Sequence, residues 1–178
     1  MALRATVYKA ELAVSDLDRG VYGQHVLTLA RHPSETEERL MVRLLAFALF
    51  ADEALSFGRG LSAEDEADLW QRDPTGVIER WIDVGLPDER TVRKACSRAH
   101  EVVVLAYGAR RVDAWWEENA AAFARLENLS VLTLTAAETA ALESLAARSM
   151  VLSCTVQDGL VWLASGDATV EIAPQRRR

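Results

Sequence analysis

The sequence predicts a mixed α/β fold, a sheet flanked by helices, and three observations carry that prediction. The run Val102 to Tyr107 (VVVLAY), closed by Gly108, is continuously apolar, as a strand buried on both faces in a parallel sheet requires. A strand pattern over 77–84 and a helix pattern over 87–100 precede it, which makes a right-handed βαβ unit. The C-terminal third instead reads as antiparallel hairpins, because Asp158-Gly159 stands between two apolar runs. At 178 residues, without repeats or low-complexity linkers, the chain fits one domain spanning 1–178.

From the N-terminus, residues 2–14 alternate as a strand, with Leu3, Ala5 and Val7 against Arg4, Thr6 and Tyr8. Ser15 to Gly20 is a polar connection, and Val21 to Ala30 returns as an antiparallel strand on whose surface His25 lies. Ser34 and Glu37 have capping-box spacing ahead of a helix over 34–55. Its inner face is marked by Leu40, Met41, Leu44, Leu45, Phe47 and Ala48. His32, before Pro33, is read as a turn residue. Residues 56–61 suggest a short strand broken by Gly58 and Gly60, and 62–66 an acidic loop or turn. The helix over 87–100 opens with Pro87, Asp88 and Glu89, suited to the positive end of its dipole. Another covers 112–126 and carries Trp115-Trp116, one expected in the core and one partly exposed. A strand at 129–134 follows. Thr135 and Glu138 then form a second capping box, opening an alanine-rich helix to about Arg148. The hairpin strands cover 150–156, 160–163 and 169–172, and the basic tail Pro174 to Arg178 is expected to be loose.

Composition bounds the function. Half the residues are hydrophobic and 26% are charged, as in soluble globular proteins. No run is long enough to span a membrane and the N-terminus has no signal-peptide pattern, so a cytoplasmic protein without a membrane partner is expected. Two cysteines, Cys96 and Cys154, make neither a disulfide framework nor a zinc site. A net charge of −7 argues against broad nonspecific nucleic-acid binding, although it leaves room for a local basic groove. Of 20 basic residues only Lys9 and Lys94 are lysines.

The stretch 66–94 concentrates the chemistry. Two strand-like runs flank the turn Asp73-Pro74-Thr75-Gly76, one beginning at Asp68 and the other ending near Asp83. The following helix carries Lys94. Adjacent strands lie only about 4.8 Å apart, so two such carboxylates can share one hard cation. An ammonium nearby would stabilise charge developing on a phosphoryl group. Glu37 has two readings. It is a cap carboxylate, or it is a third acid that looks into the site from the end of the first helix's inner face.

Two acids on neighbouring strands followed by a lysine resemble the site of the PD-(D/E)xK nuclease superfamily. The lysine of that pattern stands two residues after the second acid, where this chain has Gly85; Lys94 on the next helix is the substitute, a displacement known within the superfamily. Longer stretches, among them ALRATVYKAEL, LTLARHPSETEERLMVRLLAFALFADE, ADLW, WIDVGLPDERTVRKA and the hairpin over 151–163, resemble the YaeQ family nearly end to end. That resemblance implies a restriction-endonuclease-like α/β core with added antiparallel strands, and no established activity. Carried over by position, it implies a site of Glu37, Asp68, Asp83 and Lys94, with Mg2+ or Mn2+ held by Asp68, Asp83 and Glu37. Members often have Pro where this chain has Ala67, and Glu where it has Asp83.

The expected function is therefore metal-dependent hydrolysis of phosphodiesters in DNA or RNA. The alternative is a non-catalytic protein of nuclease fold that binds a nucleic-acid or nucleoprotein partner. The enzyme requires Asp68, Asp83 and Lys94 to converge on one open cleft.

Overall fold

The computed structural model describes residues 4–62 and 65–178; Ala2 and Leu3 of the expected first strand, and Ala63 and Glu64 of the expected acidic turn, lie outside the described residues. The chain runs β1 (Thr6–Asp16), β2 (Val21–Arg31), α1 (Glu37–Leu49), β3 (Leu55–Phe57), β4 (Leu69–Arg72) and β5 (Ile78–Val84). It continues α2 (Glu89–Arg98), β6 (Ala99–Ala106), α3 (Arg110–Phe123), β7 (Leu129–Thr133) and α4 (Ala136–Glu143). The last strands are β8 (Ser149–Gln157), β9 (Leu160–Ser165), β10 (Ala168–Ile172) and β11 (Gln175–Arg176).

These strands form two mixed sheets. The first has the order β10-β9-β8-β1-β2, antiparallel except where β1 and β8 run parallel. The second has the order β11-β7-β6-β5-β4-β3, with β5, β6 and β7 parallel and the outer strands antiparallel. The expected mixed α/β architecture is present, and the strands bearing Leu69, Ile82 and Val104 do share one sheet.

Helix α1 explains why two sheets are needed. Every residue from Leu40 to Ala48 is buried, the charged Arg43 included, so the helix is enclosed on all sides rather than along one inner face. A helix of that kind must be covered all round. One core joins it and Leu142 of α4 to Tyr8, Leu12, Leu29 and Leu152 of the first sheet and to Leu69, Ile82 and Val103 of the second. The opposite face of the second sheet packs a separate core of Trp81, Val102, Val104 and Val131 under Val92 of α2 and Trp115 of α3. The layers are therefore sheet, helices, sheet, helices. As expected, Trp115 is buried and Trp116 half-buried.

Several local expectations need correction. The N-cap of α1 is Thr36, whose side chain accepts from the Arg39 N–H. Ser34 lies two residues too early and pairs with His32 Nδ1 instead. The second capping box, Thr135 with Glu138, is present, but α4 ends at Glu143 rather than near Arg148. The strand expected over 56–61 is confined to Leu55–Phe57, and a 3-10 turn follows at Gly60–Ser62. His25 packs edge-on against Phe47 of α1. The C-terminal tail is tied down: Gln175 and Arg176 pair with Thr133 and Leu132, and Arg178 donates to the Leu126 carbonyl. Without that tail β7 would be an exposed edge next to buried parallel strands. Among the described residues, no helix is long and apolar enough to cross a membrane.

Candidate functional site

The antiparallel register of β4 and β5 sets the site. Leu69 pairs with Ile82 and Trp70 with Trp81, so one further step places Asp68 opposite Asp83. Trp70 and Trp81 meet edge to face at 5.8 Å and fix that register, as cross-strand aromatic pairs do. Gly58 completes the placement. Its N–H donates to the Asp68 carbonyl at 2.9 Å, and a Cβ there would stand 2.0 Å from the Ala67 carbonyl oxygen. Only glycine allows the chain after β3 to lie this close to the segment that carries Asp68.

Both acids are held by backbone and charge. Asp68 Oδ2 accepts from the Val84 N–H at 2.8 Å, and the Asp68 N–H donates to Asp83 Oδ1 at 3.3 Å. Asp68 Oδ1 accepts from Arg39 Nη2 at 2.5 Å. Arg39 also donates to Glu35 Oε1 at 3.0 Å, and the same carboxylate takes a two-pronged pair from Arg43, 2.8 Å from Nε and 2.9 Å from Nη2. Glu35 and Arg43 are 3% and 1% exposed. A chain of alternating charge thus runs Arg43, Glu35, Arg39, Asp68. Burial disfavours the Arg39 cation, but Asp68 and Glu35 outweigh it and hold its pKa above the ordinary value.

Asp83 is the carboxyl left over. The other four charges balance, so an ionised Asp83 adds an uncompensated negative charge in a site where it is only 8% exposed. Burial first, and the neighbouring Asp68 second, push its pKa to about 7. The Trp81 indole N–H draws the carboxyl downward. It does so without hydrogen-bond geometry, because among the described residues Trp81 Nε1 is buried with no hydrogen-bond partner. Tyr107, just past β6, belongs to the same electrostatic neighbourhood: burial pushes it to about 12, with Arg39 acting against the shift and Glu38, Asp68 and Glu35 adding to it.

The acid pair faces an open cleft of about 380 Å³ lined by Arg39, Glu66, Asp68, Trp81, Asp83 and Gly85, among others. The remaining expected site residues lie elsewhere. Glu37 accepts a 2.8 Å hydrogen bond from the Tyr8 hydroxyl and does not line the acid cleft, and the helix cap is Thr36 rather than a Ser34–Glu37 box. Lys94 is on the exposed side of α2 and pairs with Asp65. It lines an adjoining groove of about 570 Å³, which shares only the walls Trp81 and Thr91 with the acid cleft. Gly85 leaves no side chain at the position where a strand lysine would stand, and Arg39 supplies the cation beside Asp68 instead.

The acid pair suits a hard cation by donor type. Two carboxylates converge, one of them holding its proton to near neutrality because of its burial and the charge of the other. Among the described residues, no three His, Cys, Asp or Glu side chains cluster as metal ligands. The remaining positions would fall to main-chain carbonyls, water or substrate oxygens, as is usual for Mg2+. The residues Glu35, Arg39 and Arg43 left one sequence signal: Arg43 interrupts the apolar run LMVRLLAFALF, and a charge inside a buried helix needs a partner.

Comparison with known proteins gives a consistent family and no activity. The family model described as "YaeQ protein" matches residues 1–174. The chain is 49% identical over 172 residues to the "Uncharacterized protein YaeQ" of Salmonella typhi, covering 97% of this chain and 95% of that protein. It is 46% identical to the protein of the same description from Escherichia coli (strain K12), with the same coverage. The crystal structure of the YaeQ protein from Xanthomonas axonopodis pv. citri superposes with a TM-score of 0.95 at 53% identity, covering 98% of both chains. That of the YaeQ protein from Pseudomonas syringae gives 0.91 at 37% identity, covering 98% of this chain and 96% of that one.

Proposed function

The chain belongs to the YaeQ family, and from that premise we propose that it is a metal-dependent phosphodiester hydrolase of nuclease-like type, acting on DNA or RNA at the Asp68–Asp83 cleft. The single observation that carries this reading is the pairing of two carboxyls across β4 and β5 in an open cleft, one of them left without a counter-charge. A bound cation would supply the counter-charge that Asp83 lacks, since Arg39 is taken by Asp68. Asp68 and Asp83 would hold Mg2+ or Mn2+. When bound, such an ion supplies Lewis-acid polarisation of a phosphoryl oxygen and lowers the pKa of an attacking water. Arg39 orients Asp68 through its 2.5 Å contact and presents a guanidinium to the same cleft, where it can contact a phosphate oxygen. Asp83, which burial and Asp68 keep protonated to about pH 7 in the metal-free protein, would release that proton to hold the ion, so ion binding should strengthen as pH rises through neutrality. The likeness to the PD-(D/E)xK pattern supports the same reading through the two acids.

Isothermal titration with Mg2+ and Mn2+, followed by cleavage assays on single- and double-stranded DNA and RNA, tests the proposal. Wild type should bind the ion and cut, and Asp83→Ala should do neither. Ion binding that survives in Asp83→Ala, or no cleavage of any of the four substrates, would end it.

A second reading is favoured by one specific feature: Lys94 lies outside the acid cleft, and Arg39, the cation that lines it, is already paired with Asp68, so the cleft is poorly supplied for stabilising a reacting phosphoryl group. Under that reading the protein binds a nucleic-acid or nucleoprotein partner without cutting it. The same assays separate the two, because a binder would retain nucleic acid intact in the presence of Mn2+.

A further inference from the structure

We infer that the groove along α2 is a track for the phosphate backbone of a single-stranded polynucleotide, with Arg90, Lys94 and Arg98 as its contacts and Asp65 as an internal competitor for the same cations. The inference rests on the proposed hydrolase in one respect only, the direction in which the track leads.

Arg90, Lys94 and Arg98 recur every four residues, which places them on one face of the helix at steps of about 6 Å along its axis. All three are exposed and line the groove of about 570 Å³. Arg93, the remaining cation of α2 outside this stripe, pairs with Glu89 and does not line the groove. The opposing acids are Asp65 and Asp88, and Asp88 is committed to capping the Thr91 N–H. Three cations against two acids leave the groove with a small net positive charge in a chain whose net charge is −7. Regularly spaced cations in a narrow groove suit the repeating charge of one strand more than a single compact anion. Trp81 and Thr91 form a wall common to this groove and the acid cleft, so a strand lying along α2 is delivered to Asp68 and Asp83. Trp81 is only 4% exposed and offers no face for a base to stack on, so the track should be indifferent to sequence.

Asp65 bridges two of the groove's cations. Its carboxylate pairs with Lys94, and its carbonyl accepts from Arg98 Nη1 at 3.0 Å. Lys94 draws the Asp65 carboxyl below its ordinary range. Phosphates entering the groove take over both cations, so Asp65 opposes binding. This gives Lys94 the task of holding the strand rather than acting on the scissile bond.

The test is fluorescence anisotropy of labelled single-stranded DNA and RNA oligonucleotides with the full chain in metal-free buffer, where no cleavage can confuse the signal. Three phosphate contacts predict a salt slope of about −2, a loss of about 20-fold in affinity between about 50 and 200 mM salt. Lys94→Ala should lower the slope by about 0.7, and the triple variant Arg90→Ala/Lys94→Ala/Arg98→Ala should nearly abolish it. Arg93→Ala removes the same charge outside the groove and should bind as wild type. Asp65→Asn should bind several-fold more tightly. The inference is overturned if wild type does not bind, if Arg93→Ala and Lys94→Ala weaken binding equally, or if Asp65→Asn binds more weakly. Displacement by polyglutamate at matched charge would reassign the groove to an acidic peptide, and equal affinity for duplex would remove the single-strand assignment. Binding that passes these tests in a protein that cuts nothing with Mn2+ would fail the hydrolase alone.

Discussion

Replacing Asp83 by Asn should stabilise the protein at alkaline pH and leave it nearly unchanged in acid. The Asp83 carboxyl is displaced from 3.8 to about 7 on folding, by burial and by Asp68. Each tenfold change in ionisation is worth about 1.4 kcal/mol, so the folded state forfeits up to about 4 kcal/mol when this group must be ionised. The sign follows from proton counting. Between about pH 4 and pH 7 the folded state binds more protons at this site than the unfolded chain, so its contribution falls as pH rises through that window and is constant above it. Asn keeps the oxygen that accepts the Asp68 N–H and removes the charge. Relaxation and water entry reduce the full value, so a gain of about 2–4 kcal/mol is expected at pH 8 and close to zero at pH 4. Urea unfolding of both proteins across that range, read as the difference between them, cancels the carboxylates they share. A difference that does not change with pH, or a variant less stable than wild type at pH 8, would refute the reasoning. Mg2+ adds a second readout: it should raise the stability of wild type at pH 8 and not that of Asp83→Asn.

Four further outcomes are expected. Glu35→Gln leaves the buried Arg43 without its counter-charge and should cost about 3 kcal/mol or more in urea unfolding. Arg39→Gln removes the internal cation from Asp68 and should raise Mg2+ affinity several-fold by calorimetry, while the Asp83 carboxyl, which Arg39 draws downward, titrates still higher in the metal-free protein. Glu37→Gln should leave Mg2+ affinity unchanged, because Glu37 serves Tyr8 and not the acid pair; a loss of affinity would restore it as a third ligand. Gly58→Ala forces the start of β4 away and should cost about 1–3 kcal/mol together with a loss of Mg2+ affinity. Gly23→Ala, where the nearest atom is a histidine side chain at 3.4 Å, is the matched control for that change.

The sequence by itself determined the parts whose signals are local. VVVLAY is a strand because only burial on both faces accommodates it, and β6 occupies the middle of the second sheet. The turn at Asp158-Gly159 joins β8 to β9 because its residues accept the left-handed backbone a tight hairpin needs, with φ of 53° and 75°. Asp68 and Asp83 were legible as a pair because a short turn joins their strands, but what brings them directly opposite is the register shift between Gln71 and Arg72, which no turn rule supplies. The tertiary structure decided what depends on partners distant in the chain. Whether α1 buries one face or all of them is settled by how many sheets cover it. Its cap moved from Ser34 to Thr36 because Glu35 turns inward to Arg43, a contact no spacing rule contains. The tail is ordered because β7 leaves an edge that needs pairing. The placement of Lys94 was beyond the sequence for the same reason. A helix residue's direction depends on how the helix lies over its sheet, and α2 turns Lys94 toward Asp65 while α1, remote in the chain, brings Arg39 to Asp68.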